Sequence, residues 1–245
     1  IGALLIYQEY VIPRIGQEDA PQDAQPEPEP TPEPEPEPEP EIFILLPGLD
    51  TDSDGLTDRE ESIYSTELRN PDTDADSFLD GNEVFHRFDP LGPAPSTLLD
   101  TGTVDEFTYE GTEDEDVSAS LTYPRVWTAI ETNPSTGWVL TLQPITSSRM
   151  TIRELTPEAE QETTELIAAR LGDIEDLPED FILPASRFVQ GVSKNGYTIY
   201  THPNSRLVYL ETEEQVYEFY YDVRTERAIE YLQTFQMIIN SFKLL

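Results

Sequence analysis

Apolar and polar positions alternate clearly only in the last part of the chain. From about residue 103 onward, aromatic and β-branched residues recur in partial alternation over 118–128, 137–145 and 149–155, as they do in strands with one buried face. A helix is predicted over 157–171. Pro157 suits its first turn, Glu158 and Glu160 complement the positive end of its dipole, and Gly172 stops it. The next apolar run, 187–193, meets Asn195-Gly196, a strong hairpin signal because both residues tolerate positive φ, and 197–201 follows as its partner. Residues 206–211 and 215–223 read as a further strand pair. The segment 225–242 reads as a closing amphipathic helix with Ile229, Leu232, Phe235, Ile238, Ile239 and Phe242 near one face. Strands in hairpins with helices set apart predict an α+β domain over 103–245, an antiparallel sheet covered by helices.

Upstream the texture is different. Residues 1–16 open with an apolar run through Tyr7, continued by Tyr10, Val11 and Ile12. Seven apolar residues fall short of the about 20 that span a bilayer. The segment therefore reads as the outer end of a membrane anchor or signal segment, or else as a short amphipathic helix or frayed terminus. Residues 17–41 alternate Pro and Glu, which holds the backbone near polyproline II while the glutamates repel one another. At about 3.1 Å per residue, 21–41 would separate its ends by about 60 Å, so the tract reads as a stiff spacer. Residues 42–93 carry two acidic loops that begin 22 residues apart, and 94–102, which follows Asp89-Pro90-Leu91-Gly92-Pro93, reads as a linker.

Charge narrows the range of partners. Fifty Asp and Glu face 14 Lys and Arg across 245 residues, a formal net charge of −36. This excludes nucleic acid as a general partner and favours cations and basic protein surfaces. A solvated surface adapted to high salt would give the same excess, so spacing has to distinguish the two readings. With no Cys in the chain, disulfides, thiolate metal sites and Cys nucleophiles are excluded.

The spacing is informative. In residues 50–61, Asp50, Asp52, Asp54, Asp58 and Glu61 fall at positions 1, 3, 5, 9 and 12, with Gly55 at 6 and Leu56 at 7. This is the order of ligands in a twelve-residue calcium loop. Ca²⁺ takes six to eight oxygens, alternate side chains supply them, glycine allows the sharp turn, position 7 offers its carbonyl and position 12 a bidentate carboxylate. In residues 72–83 the same places are filled by Asp72, Asp74, Asp76, Asp80 and Glu83, with Phe78 at 7 but Ser77 where glycine is expected. Two calcium ions are therefore expected, the second bound more weakly. Acidic turns without a cation are the alternative, but ten carboxylates in two matching registers would repel one another at close range.

The flanks are not those of an EF-hand, because only ten residues separate Glu61 from Asp72 and Asn70-Pro71 forces an extended entry. Together with Tyr64-Ser65-Thr66 and Asp80-Gly81-Asn82-Glu83-Val84, the segment 49–93 resembles the thrombospondin type 3 repeats of bacterial surface proteins. The resemblance implies a chain wrapped around calcium with little hydrophobic core, ordered only when loaded. Tyr123-Pro124-Arg125-Val126-Trp127 and the ending Met237-Ile238-Ile239-Asn240-Ser241-Phe242-Lys243 look like PsbP-related domains. That likeness implies a helix-covered antiparallel sheet and an accessory or binding role over about 103–245.

No catalytic motif is present. His86 and His202, the only histidines, read as solvated, and the carboxylate groups Glu213-Glu214 and Asp173/Glu175/Asp176 are expected by chance in so acidic a chain. Most of the later tyrosines read as core or cross-strand packing, and any that face outward, with Tyr209 and Tyr220 the candidates, would mark a partner surface. The sequence thus predicts a non-catalytic, calcium-binding surface protein, membrane-tethered through its N-terminus or secreted, and located outside the cell or at its surface. In it calcium stiffens the joint between the spacer and a domain that binds an unidentified protein or cell-envelope partner. A secreted hydrolase with a structural calcium segment, or a subunit of a surface appendage, are the alternatives.

Overall fold

A computed structural model describes residues 45–110, 118–133, 137–158, 161–173 and 187–245, without the side chains of 172 and 173. These belong to one compact unit that runs Phe43–Leu245. The anchor and spacer expected over 1–41 lie outside the described residues. Among the described residues no helix is long and apolar enough to cross a membrane.

In chain order the elements are β1 (Leu46–Pro47), α1 (Asp58–Tyr64), α2 (Asp80–His86), α3 (Leu98–Thr101), β2 (Val104–Glu110), β3 (Ser118–Pro124), β4 (Thr128–Thr132), β5 (Val139–Gln143) and β6 (Arg149–Leu155). There follow α4 (Thr163–Asp173), β7 (Val189–Val192), β8 (Thr198–Thr201), β9 (Leu207–Glu211), β10 (Val216–Asp222), β11 (Ala228–Ile229), α5 (Leu232–Ser241) and β12 (Lys243–Leu244). Seven strands form an antiparallel sheet in the order β4-β5-β6-β10-β9-β8-β7, and β12-β3-β2 form a second sheet. β1 and β11 pair in parallel, with Leu46 opposite Ala228 and Pro47 opposite Ile229.

The expected α+β class is overturned. Among the described residues 34% are in strands and 22% in helices, so the domain is mostly β and not a sheet covered by helices. Both long predicted helices start late, for identifiable reasons. Residues 228–229 give their backbone to β1 and Glu226 accepts hydrogen bonds from Ser147, so only Leu232 onward is free to coil. Glu158 closes a turn with Gln161, its N–H donating to the Gln161 side chain, and α4 begins at Thr163.

The large sheet is buried on both faces along its centre. Val208, Leu210, Tyr217, Phe219 and Tyr221 join one core with Leu121, Trp138, the α5 residues Phe235 and Ile238, and Phe242 just after α5. On the other face Leu207, Tyr209 and Val216 pack with Ile167 and Leu171 of α4. Two-sided burial explains why 207–210 and 216–221 read as near-continuous apolar runs. Under α4 the buried Glu218 holds Arg170 at 3.0 Å and Arg153 at 3.6 Å, and accepts from the Tyr209 hydroxyl at 3.0 Å. Tyr209, expected to face outward, is thus fully buried, and Tyr220 is partly buried. His202, expected in solvent, is buried edge-on against Phe188.

Candidate metal centre

Both acidic loops fold by the same internal wiring. In the first, Asp50 accepts from Ser53 N at 2.6 Å and Gly55 N at 3.1 Å, and Asp58 accepts from Thr51 N at 3.1 Å and Thr51 Oγ1 at 3.0 Å. In the second, Asp72 accepts from Asp76 N at 3.1 Å and Ser77 N at 3.0 Å, and Asp80 from Thr73 N at 2.8 Å and Thr73 Oγ1 at 2.6 Å. Positions 1 and 9 therefore brace each loop from inside. The threonine at position 2 of both loops is part of this bracing, a repeat the sequence displays but whose purpose spacing does not reveal.

This wiring brings three carboxylates together in each loop. Asp50, Asp52 and Asp54 each place an oxygen within 4.8 Å of the others, as do Asp72, Asp74 and Asp76, so each triad could hold a metal ion. The position-12 carboxylates arrive separately, Glu61 on α1 and Glu83 on α2. Several oxygens are shielded from solvent without a hydrogen-bond partner: both of Asp52, both of Glu61, Asp74 Oδ2 and Glu83 Oε2. A buried carboxylate oxygen with no donor is costly, and a cation is the group that would satisfy it. Without one, burial and then the neighbouring aspartates push the Glu61 carboxyl up to about 7 and that of Glu83 up to about 8. Burial likewise raises Asp54 to about 6.

These shifts fix the sign of a pH effect. A carboxyl whose pKa is raised on folding adds stability below its unfolded pKa, near 4.5, and loses it as pH rises through the folded value. The metal-free protein is therefore expected to melt at a lower temperature at pH 8 than at pH 5. Thermal denaturation in metal-depleted buffer checks this, and a melting temperature that climbs over that interval would contradict it.

The two loops are unequal. Gly55 has φ of +103°, and Ser77 takes the matching place at +81°, a conformation that costs a non-glycine residue about 1 kcal/mol. Position 4 is also left-handed in both loops, at Ser53 and Ala75, which the spacing did not predict. Leu56 buries its side chain completely in the main core, whereas Phe78 is 59% exposed. Ser77→Gly is expected to tighten cation binding at the second loop roughly fivefold, read by calorimetric titration.

Contrary to the picture of a segment with little core of its own, the loops are built into the domain. Leu56, Tyr64 and Val84 belong to the same core as α5 and both larger sheets. Glu60, fully buried, accepts from Thr57 N at 3.1 Å in a capping box and from Thr234 N at 2.7 Å at the start of α5. Tyr64 shares a hydrogen bond with Thr234, and Thr57 Oγ1 donates to the carbonyl of Glu230. Residues 94–102, expected to be a linker, contain α3, whose Leu98 is buried and whose Thr97 forms a second capping box. Sequence reading passed over Thr57, Glu60 and Gly81. The Thr57-x-x-Glu60 spacing is a capping-box signature that could have found the first two.

Comparison with known proteins adds no relative: no family model matches the chain, and no curated protein is significantly similar to it.

Proposed function

We propose that this protein is a calcium-stabilised, non-catalytic surface module, in which two Ca²⁺ ions bind at 50–61 and 72–83 and fasten the N-terminal loops to the β domain. The observation that carries this reading is the set of buried, unpartnered oxygens on Asp52, Glu61, Asp74 and Glu83, two residues from each loop. Calcium fits better than magnesium because the loops offer many oxygens on a flexible backbone, whereas Mg²⁺ demands a tight octahedron and retains water. Asp50, Asp52, Asp54, Glu61 and the Leu56 carbonyl would hold the first ion. Asp72, Asp74, Asp76, Glu83 and the Phe78 carbonyl would hold the second. Asp58 and Asp80 would act mainly by bracing Thr51 and Thr73.

Extracellular sites of this type work near 10⁻⁴ to 10⁻³ M calcium, which supports display outside the cell, as does the resemblance to thrombospondin type 3 repeats. A cleft bordered by Arg59, Ile63, Val126, Trp127, Ile145 and Tyr231 offers a partner surface beside the first loop, with Val126 56% and Ile145 88% exposed. Titration calorimetry of the full chain tests the reading, with Asp54→Ala and Asp76→Ala variants and magnesium as the control. Two calcium sites are expected, with the altered loop's own site lost in each variant. Heat that magnesium reproduces, or no heat, would overturn it.

A further inference from the structure

We propose that the second cation site is conditional on the first, with the backbone of Gly81 as the joint between them; this rests on the calcium reading above.

Gly81 belongs to the second loop by sequence, lying in the first turn of α2 two residues before Glu83. Its N–H does not serve its own loop. It donates to Asp54 Oδ2 of the first loop at 3.2 Å, across 27 residues of sequence. Its carbonyl accepts from Gln233 Nε2 of α5 at 2.8 Å. The backbone of a single residue thus touches the first loop on one side and the closing helix on the other. The approach is close: a Cβ on Gly81 would stand 2.4 Å from the carbonyl oxygen of Asp54, so glycine is required here.

Asp54 is the first-loop side of this joint. It is buried, its Oδ1 accepts from Leu56 N at 2.7 Å, and it is one of the three carboxylates that could surround a cation in the first loop. A cation there would fix the carboxylate that receives Gly81. With that site empty, Asp54 faces repulsion from Asp52 and Asp50 in its own loop and from Asp80 in the other. Apart from its internal hydrogen bonds, the second loop is anchored less firmly than the first. Ser77 is held at positive φ, and Phe78 is exposed where Leu56 in the first loop is anchored in the core. The start of α2, and with it the aim of Glu83, is set in part by the contact that the first loop supplies. Coupling of this kind is reciprocal, so filling the second site also tightens the first.

Calcium titration of the full chain decides the matter, using Asp52→Asn to disable the first site while leaving Asp54 and Gly81 in place, with amide NMR of Gly55, Ser77 and Gly81 as reporters for each loop. Asp52→Asn is expected to weaken the second site about tenfold, within the range usual for coupled sites, and to reduce exchange protection of the Gly81 amide. Gly81→Ala is expected to weaken the second site similarly, with no additional loss when the two changes are combined. A second-site affinity in Asp52→Asn within twofold of the unaltered chain would overturn the joint while leaving both calcium sites standing. Absence of calcium binding in the unaltered chain would remove the underlying reading itself.

Discussion

Removing calcium from the full chain is expected to lower its melting temperature by about 10–20 °C. A ligand held at about 100 times its dissociation constant stabilises the folded state by about 2.7 kcal/mol, so two sites contribute about 5 kcal/mol. Each kcal/mol shifts the melting temperature of a domain this size by about 2–4 °C. The effect reaches the whole domain because the loops are part of its core. Leu56 and Tyr64 pack in the cluster that contains Phe235 and Ile238, and β1 pairs with β11 immediately before α5. Differential scanning calorimetry with and without a calcium chelator at neutral pH makes the comparison. If calcium binds but the transition moves by less than 2 °C, the loops are energetically isolated from the β domain, contrary to the contacts described here.

Glu60→Ala is expected to cost about 3 kcal/mol and to weaken binding at the first loop without removing any proposed ligand. The carboxyl group is fully buried and accepts from Thr57 N and Thr234 N, so its loss removes half of the α1 capping box and leaves a buried donor at the start of α5. A charged hydrogen bond lost in a buried site costs about 1.5–3 kcal/mol, and two are lost together. Glu61 lies one residue further along the same helix turn, so its aim changes with the cap. Chemical denaturation of the calcium-loaded protein gives the first quantity and calcium titration the second. A stability loss below about 1 kcal/mol would mean that Glu60 does not join the loop to α5.

Some of this architecture was legible in the sequence. Residues 149–155, 207–211 and 216–222 form strands where aromatic and β-branched residues cluster, and Gly196 takes positive φ in the turn between β7 and β8. What periodicity could not supply was long-range pairing. The parallel match of 46–47 with 228–229 shortens the last helix, and nothing local to residue 228 announces it. The helix expected over 157–171 is present as α4, but the sequence did not announce that it covers the second face of 207–210 or that its Arg170 meets the buried Glu218. The acidic loops were the most legible part, because their positions at 1, 3 and 5 are local and the two triads form within each loop. Their partners were not. Gly81 is 27 residues from Asp54, and Glu60 meets Thr234 across 174 residues, distances over which one sequence carries no spacing signal.

The most direct test is a crystal structure of the full chain grown with calcium, with anomalous scattering used to place the ions. The account predicts two cations, each about 2.3–2.6 Å from its surrounding oxygens. One would touch Asp52 and Glu61 and the other Asp74 and Glu83, the oxygens that now lack hydrogen-bond partners. Water or side-chain donors on those same oxygens, with no cation in either loop at saturating calcium, would contradict it.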